Sequence, residues 1–123
     1  MLKKNKSLAL YKEIVDGLTK LSKGVHRVWV KERGWPDLPE NKNINEFIER
    51  LSDSDKDILV QLLEQARHSG IHDTLVYIND RMAINGLEFV EEGVKMSFQP
   101  FDTELYYDWV CRSEGDSWPD EKI

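Results

Sequence analysis

The residues best suited to chemistry lie between positions 64 and 73. Glu64, His68 and His72 follow one another at intervals of four. On an unbroken helix that spacing lines one face with two imidazoles and a carboxylate, a facial set suited to a metal ion. A second reading of the same stretch joins Arg67, His72 and Asp73 as an anion site or acid–base pair at a helix start. Against it stands a plainer one: a tight turn between helices, with Asp73 as cap and His72 bonded to a backbone carbonyl. Asp53, Asp55, Asp57 and Glu64 match the acidic positions of a calcium loop, but the position that needs glycine holds Ile58. The acidic first turn of a helix accounts for the same residues.

Cys111 is the only cysteine. It could serve as a nucleophile with a histidine, and Arg112 beside it would lower its pKa; the alternative is a buried structural thiol. Trp35-Pro36-Asp37 and Trp118-Pro119-Asp120 are like the acid loop of tyrosine phosphatases. That chemistry needs an arginine six residues after the cysteine, and Ser117 stands there. Proline holding each tryptophan extended at the edge of a core explains both triplets. No phosphate-binding glycine loop, nucleophile elbow or paired-cysteine motif occurs. No cofactor or metal is therefore expected, and the missing motifs lean against an enzyme while leaving Arg67, His72, Asp73 and Cys111 as the catalytic candidates.

Helices must position these residues. Leu8, Tyr11, Ile14, Val15 and Leu18, then Leu21, Val25, Val28 and Trp29, share one helical face. Ser7 is the expected N-cap. The helix either runs to about residue 32 or breaks at Gly24. Gly34-Trp35-Pro36 stops it. Asn43 or Asn45 is expected to cap a short helix through Phe47, Ile48 and Leu51, and Ser52 the next, which carries Leu59, Leu62, Leu63 and Ala66. Ile71, Leu75, Ile78 and Met82 lie about 120° away from that face, so a break at Ser69-Gly70 is expected. Alternation through Leu87, Phe89, Val94, Met96 and Phe98, with Glu91-Glu92-Gly93 between the two runs, predicts a small hairpin. Asp102 or Thr103 is the expected cap of a last helix with Leu105, Tyr106, Trp109 and Val110.

The expected fold is mainly α: a single-domain bundle of about five helices over residues 1–123, with one β-hairpin near residues 87–98. Residues 1–6 should fray and 116–123 form a tail. The core is expected to draw on Leu18, Trp29, Leu63, Ala66, Leu75, Ile78, Phe89, Met96, Leu105 and Trp109.

The chain has 123 residues, 40% hydrophobic and 33% charged, which suits a folded domain and not a disordered chain. No stretch is long and apolar enough to span a bilayer. The basic start is too soon interrupted, at Lys12 and Glu13, for a secretory signal. One cysteine suits a reducing compartment, so a cytoplasmic protein is expected. The net charge of −6 argues against nucleic acid and acidic membranes as partners. Residues 1–83 carry +1 and residues 84–123 carry −7. The acidic end also contains Phe98, Phe101, Tyr106, Tyr107, Trp109 and Trp118. Tyr107, Trp118, Asp116 and Asp120 are therefore the expected contacts to a basic protein partner. Partner identity and oligomeric state are not written in these residues.

Several stretches together resemble a known family. They are Val15-Asp16-Gly17-Leu18, Trp29-Val30-Lys31-Glu32-Arg33-Gly34-Trp35-Pro36, Gln65-Ala66-Arg67 with Gly70-Ile71-His72-Asp73-Thr74-Leu75, and Tyr107-Asp108-Trp109-Val110-Cys111-Arg112 with Gly115-Asp116 and Trp118-Pro119. The family is one of small bacterial proteins known only as a domain of unknown function. The resemblance covers most of the chain and implies no activity and no catalytic residue. Two readings of function follow. One is a non-enzymatic binding or regulatory protein for a basic partner. The other is a small enzyme or ligand-binding domain around Arg67, His72 and Asp73.

Overall fold

A computed structural model describes residues 2–21 and 24–122. Five α-helices and one two-stranded antiparallel hairpin make up the described chain, in the order α1 (Leu2–Thr19), α2 (Val25–Val28), α3 (Lys42–Glu49), α4 (Asp53–Asn85), β1 (Val90–Glu91), β2 (Val94–Lys95) and α5 (Leu105–Ser113). The mainly helical class with one hairpin is the one the periodicity predicts. The chain forms two compact units, residues 1–21 with 71–123, and residues 22–70.

In the first unit, α1 packs on α5 and on β2. Its core is Leu10, Tyr11 and Val15 of α1, Leu75 and Met82 of α4, Met96, Leu105 and Trp109, closed by Trp118. Leu75, Met96, Leu105 and Trp109 were expected there. Phe89 was too, but it lies at the surface. Trp118, read both as a ring at the edge of the core and as a partner contact, takes the first of these places and is only 3% exposed. The chain after α5 therefore returns to the core and ends in a 3₁₀ turn at Pro119–Glu121, not in a loose tail.

The expected start of α1 also moves. The helix is already formed at Leu2, inside the segment expected to fray; Met1 lies outside the described residues. Ser7 sits within it, and its carbonyl accepts from the Ser97 N–H at 3.3 Å. The helix stops at Thr19, and a new one begins at Val25 after Gly24, whose φ is +85°. Of the two alternatives for this region, the break is the one adopted.

The hairpin turns on Glu92 and Gly93, with φ of +49° and +79°. Two central residues with positive φ make the primed turn whose twist matches paired strands. Val90 pairs with Lys95 and Glu91 with Val94.

In the second unit, α2 widens into a π-helical turn over Trp29–Arg33, closed by the Gly34 N–H on the Trp29 carbonyl at 2.8 Å. Gly34 ends it, as expected, at φ +76°, and a Cβ there would meet Asn45 Oδ1 at 2.9 Å. Asn45 is not a cap. Its side chain accepts from the Trp35 N–H at 2.8 Å and donates to the Trp35 carbonyl at 3.2 Å. Asn43 lies inside α3, which starts at Lys42. Ser52 does cap α4, its hydroxyl accepting from the Asp55 N–H at 3.1 Å.

The break at Ser69-Gly70 is absent: α4 runs unbroken for 33 residues. The 120° shift between its two apolar faces is real. Leu59 and Leu63 are half-buried in one unit, while Leu75 and Met82 are buried in the other. Each half needs to bury only its own side in its own unit, so the helix has no conflict to resolve. Ala66 and Leu62 are exposed, which narrows the first face further than the periodicity predicts. Gly70 costs the helix about 1 kcal/mol against alanine, too little to break it.

Candidate functional site

Continuity of α4 supplies what the metal set needed, yet the set does not assemble. Glu64 faces His26 of α2, with Nδ1 3.8 Å from its carboxylate, and Arg67 at 4.0 Å. His72 instead neighbours Asp73 at 3.7 Å and meets the Tyr106 ring edge-on, centroids 5.4 Å apart. Among the described residues no group of three histidine, cysteine, aspartate or glutamate side chains is placed to hold a metal ion. Asp53, Asp55 and Asp57 lie in helix, not in a calcium loop, and Asp57 is taken by Lys31.

The acid–base reading fares no better. His72 and Asp73 start no helix, because they lie in the middle of α4. Five and six residues after Arg67, they point about 140° and 240° around the axis from it. His72 and Asp73 lie 3.7 Å apart, while Arg67 is turned to Glu64 at 4.0 Å.

The closest polar arrangement joins α1 to α5. Asp108 is buried. It accepts from the Tyr11 hydroxyl at 2.5 Å and from the Thr103 hydroxyl at 2.5 Å. Burial first, then the bond to Asp108, raises the Tyr11 phenol above its ordinary value of 10.0. One layer away, Arg112 grips Asp16 with Nε to Oδ1 at 2.7 Å and Nη2 to Oδ2 at 3.1 Å. Trp118 Nε1 adds a third bond to Asp16 at 3.3 Å. Partial burial works to raise the Asp16 carboxyl, but the Arg112 and Trp118 bonds and the guanidinium charge outweigh it and hold it low. The Arg112 guanidinium also lies 4.9 Å from the Trp118 ring centroid, and Lys12 lies 5.8 Å away. Every polar group here is spent on another, which is the pattern of a structural lock.

Cys111 lies half-exposed beside this lock, at a hollow of about 220 Å³ lined also by Tyr107, Arg112, Asp116, Ser117 and Trp118. No histidine lines it. A hydrogen bond with Cys111 raises the Tyr107 phenol, and Arg112 is committed to Asp16. No histidine stands beside the thiol, and of the two cations at the hollow Arg112 is committed to Asp16, which leaves Lys122 as the one that could face it.

A larger cleft, about 850 Å³, opens in the 22–70 unit along Val30–Trp35 and α3. Its wall carries Lys31, Arg33, Lys42 and Lys56 against Glu32, Asp37, Glu46 and Glu49, so the signs balance. It contains no histidine or cysteine.

The acidic end places its groups differently. Of the ten acids in residues 84–123, Glu88, Glu91, Glu92, Asp102, Glu114, Asp116, Asp120 and Glu121 are exposed. Two of the three cations there are already paired, Lys95 with Glu88 and Arg112 with Asp16. Tyr107 is 52% exposed and remains a surface residue, as expected. Asp116 is also at the surface, while Asp120 shares Lys12 with Glu121, at 2.8 and 3.1 Å. Trp118 leaves this set, because it is the wall of the core.

One feature escaped the sequence reading: Asn79, buried on α4, whose Oδ1 accepts from the Leu105 N–H at 3.0 Å and caps α5. Asp102 and Thr103, the expected caps, do neither; Thr103 serves Asp108. A signal for Asn79 did exist: it sits four residues after Leu75 and three before Met82, an amide within an apolar stripe.

The chain belongs to a family of unknown function, DUF6547, whose model matches residues 4–120. Comparison with curated proteins and with solved structures gives no match. No helix among the described residues is long and apolar enough to cross a membrane. Asp16, Asp108, Arg112 and Trp118 of the lock lie in the stretches that carried the family resemblance, while Tyr11 and Thr103, which bond to Asp108, lie outside them.

Proposed function

For this member of a family of unknown function, we propose a non-enzymatic binding or regulatory role, in which the acidic C-terminal third meets a basic protein partner. The observation that supports it is the contrast within residues 84–123. Eight of ten acids face solvent while two of three cations are already neutralised. Such a surface steers a basic partner and repels nucleic acid and anionic lipid. Beneath it, Tyr11 is bonded to Asp108 and Asp16 to Arg112, which supports a role for the surface groups over these buried ones. A single cysteine that forms no disulfide is compatible with a reducing compartment, and we assign the cytoplasm.

The test is a pull-down of the folded, tagged chain from its own cell lysate at low and high salt, with captured proteins identified and then purified. The expected result is one basic protein, lost at high salt, whose binding weakens when Asp102, Glu114 and Asp116 are changed to their amides. Binding indifferent to salt and to these changes would overturn the reading. A blank with folded bait would also overturn it, and would direct attention to the cleft along Val30–Trp35.

A further inference from the structure

Segment 84–98 leaves Ile84, Leu87, Phe89, Val90 and Phe98 at the surface, with Ile84 79% and Val90 61% exposed. Single exposed apolar residues are ordinary, but five within fifteen positions of one unit are not. The hairpin among them carries Val90 and has strands of two residues each. It is too small to bury them itself.

A hollow of about 210 Å³ opens among them, lined by Met82, Leu87, Met96 and Phe98, with Glu88 and Lys95 at its edge. It has room for one large aliphatic or aromatic side chain. Two of its walls are methionines, whose flexible thioethers adapt to differently shaped guests. Around it stand Glu88, Glu91 and Glu92. Lys95 is the hairpin's one cation, and Glu88 takes it at 2.8 Å. Glu91 and Glu92 have no cationic partner among the described residues.

Charge decides among the occupants. A second copy would bring Glu91 and Glu92 against the same acids, within a C-terminal third, residues 84–123, of net −7. A phosphate backbone or an anionic bilayer would meet the same repulsion. A basic segment with one apolar anchor meets both features at once.

We propose that the hollow at the base of the hairpin is the docking site for a basic protein segment, which inserts one large apolar side chain between Leu87 and Phe98 and sets Lys or Arg residues against Glu91 and Glu92. This rests on the basic-partner reading and adds where that partner docks and what recognises it. The apolar anchor holds the segment, and the acidic rim selects it.

The test uses the full chain as bait for a random peptide display library, followed by affinity measurements with the selected peptides. The expected peptides carry Leu, Phe or Trp flanked by Lys or Arg. Their affinity should fall at least tenfold on Leu87→Ser with Phe98→Ser. The salt dependence should shrink on Glu91→Gln with Glu92→Gln. All four positions are exposed, so the variants should keep the wild-type melting temperature, which is checked in parallel. Basic peptides that ignore these changes but respond to Glu114→Gln and Asp116→Asn would overturn the docking site and leave the basic-partner reading standing. No enrichment of basic peptides would overturn both. Concentration-dependent self-association abolished by Phe98→Ser would make a second copy the occupant and overturn the proposal.

Discussion

Asn79 of α4 caps a helix to which it does not belong: its Oδ1 lies 3.0 Å from the Leu105 N–H, the first of α5. Glu104, the residue at the ordinary capping position, makes no side-chain bond to the helix. Both partners are buried, so loss of the acceptor leaves an N–H without water. Asn79→Ala should cost about 1–3 kcal/mol in urea unfolding. Asn79→Asp keeps the acceptor oxygen and should lose less. Equal loss from both would mean that packing, not capping, is what Asn79 supplies.

Tyr11 and Asp108 form the second pair on which the first unit depends. Tyr11→Phe removes one of the two donors to a buried carboxyl group and should cost about 1–3 kcal/mol at neutral pH. The pH dependence has a definite sign. The folded phenol titrates above its ordinary 10.0. Its contribution is therefore complete below pH 10 and is lost as pH rises from there toward the folded value. Unfolding curves at pH 8 and at about pH 10.5 should show an alkaline loss in the native chain that is smaller in Tyr11→Phe. An identical loss in both would assign it to other groups.

Asp16 and Arg112 respond at the other end of the scale. The Asp16 carboxyl titrates below its ordinary 3.8, so its contribution is present above that value and is lost as pH falls through the folded value. Arg112→Lys cannot reproduce the two-pronged grip and should cost about 1 kcal/mol, a modest figure because both side chains are partly exposed. Acid unfolding should shift to higher pH in this variant. An unchanged acid midpoint would mean that the bridge adds nothing to stability.

Gly70 tests the continuity of α4. A Cβ there meets nothing within 4 Å, and its φ lies outside the left-handed region. Gly70→Ala should stabilise the chain by about 0.5–1 kcal/mol. Were Gly70 a left-handed cap at a break, the same change would destabilise it. Thermal melts of the two proteins separate the outcomes.

Trp118 and Tyr107 should now behave differently. Trp118→Ala empties a core position and should cost about 3–5 kcal/mol, a large share of a domain's stability. Any binding defect in it would report unfolding. Tyr107→Ala changes an exposed ring and should shift stability by no more than about 0.5 kcal/mol. Tyr107 is thus the usable probe of the acidic surface, and equal melting temperatures for the two variants would contradict the burial of Trp118.

The sequence by itself determined whatever depends on neighbours a few residues apart. The alternation around Glu92-Gly93 required a hairpin, because only strands place every second side chain on one face. Ser52 with its acidic first turn required a helix start, and Gly34 before Trp35-Pro36 required a stop. The acidic charge of residues 84–123 was equally plain. Tertiary structure decided everything that needed a distant partner. The phase shift at Gly70 looked like a break, because periodicity assumes that a helix buries one side; two units, each taking its own half of α4, removed that constraint. Asn79 could be seen as an amide in an apolar stripe, but its bond to Leu105, 26 residues on, could not. Trp118 was legible both as a ring at the edge of a core and as a partner contact, because its neighbours Asp116, Ser117, Pro119 and Asp120 are polar or turn-forming. It is core because Tyr11, Asp16, Phe101 and Arg112 surround it. Glu64, His68 and His72 were legible as types and spacing. Whether they made a site depended on His26, Arg67 and Tyr106, which claim Glu64 and His72 for other contacts. Spacing along a chain fixes which side chains can share a face, and only packing fixes what each of them meets there.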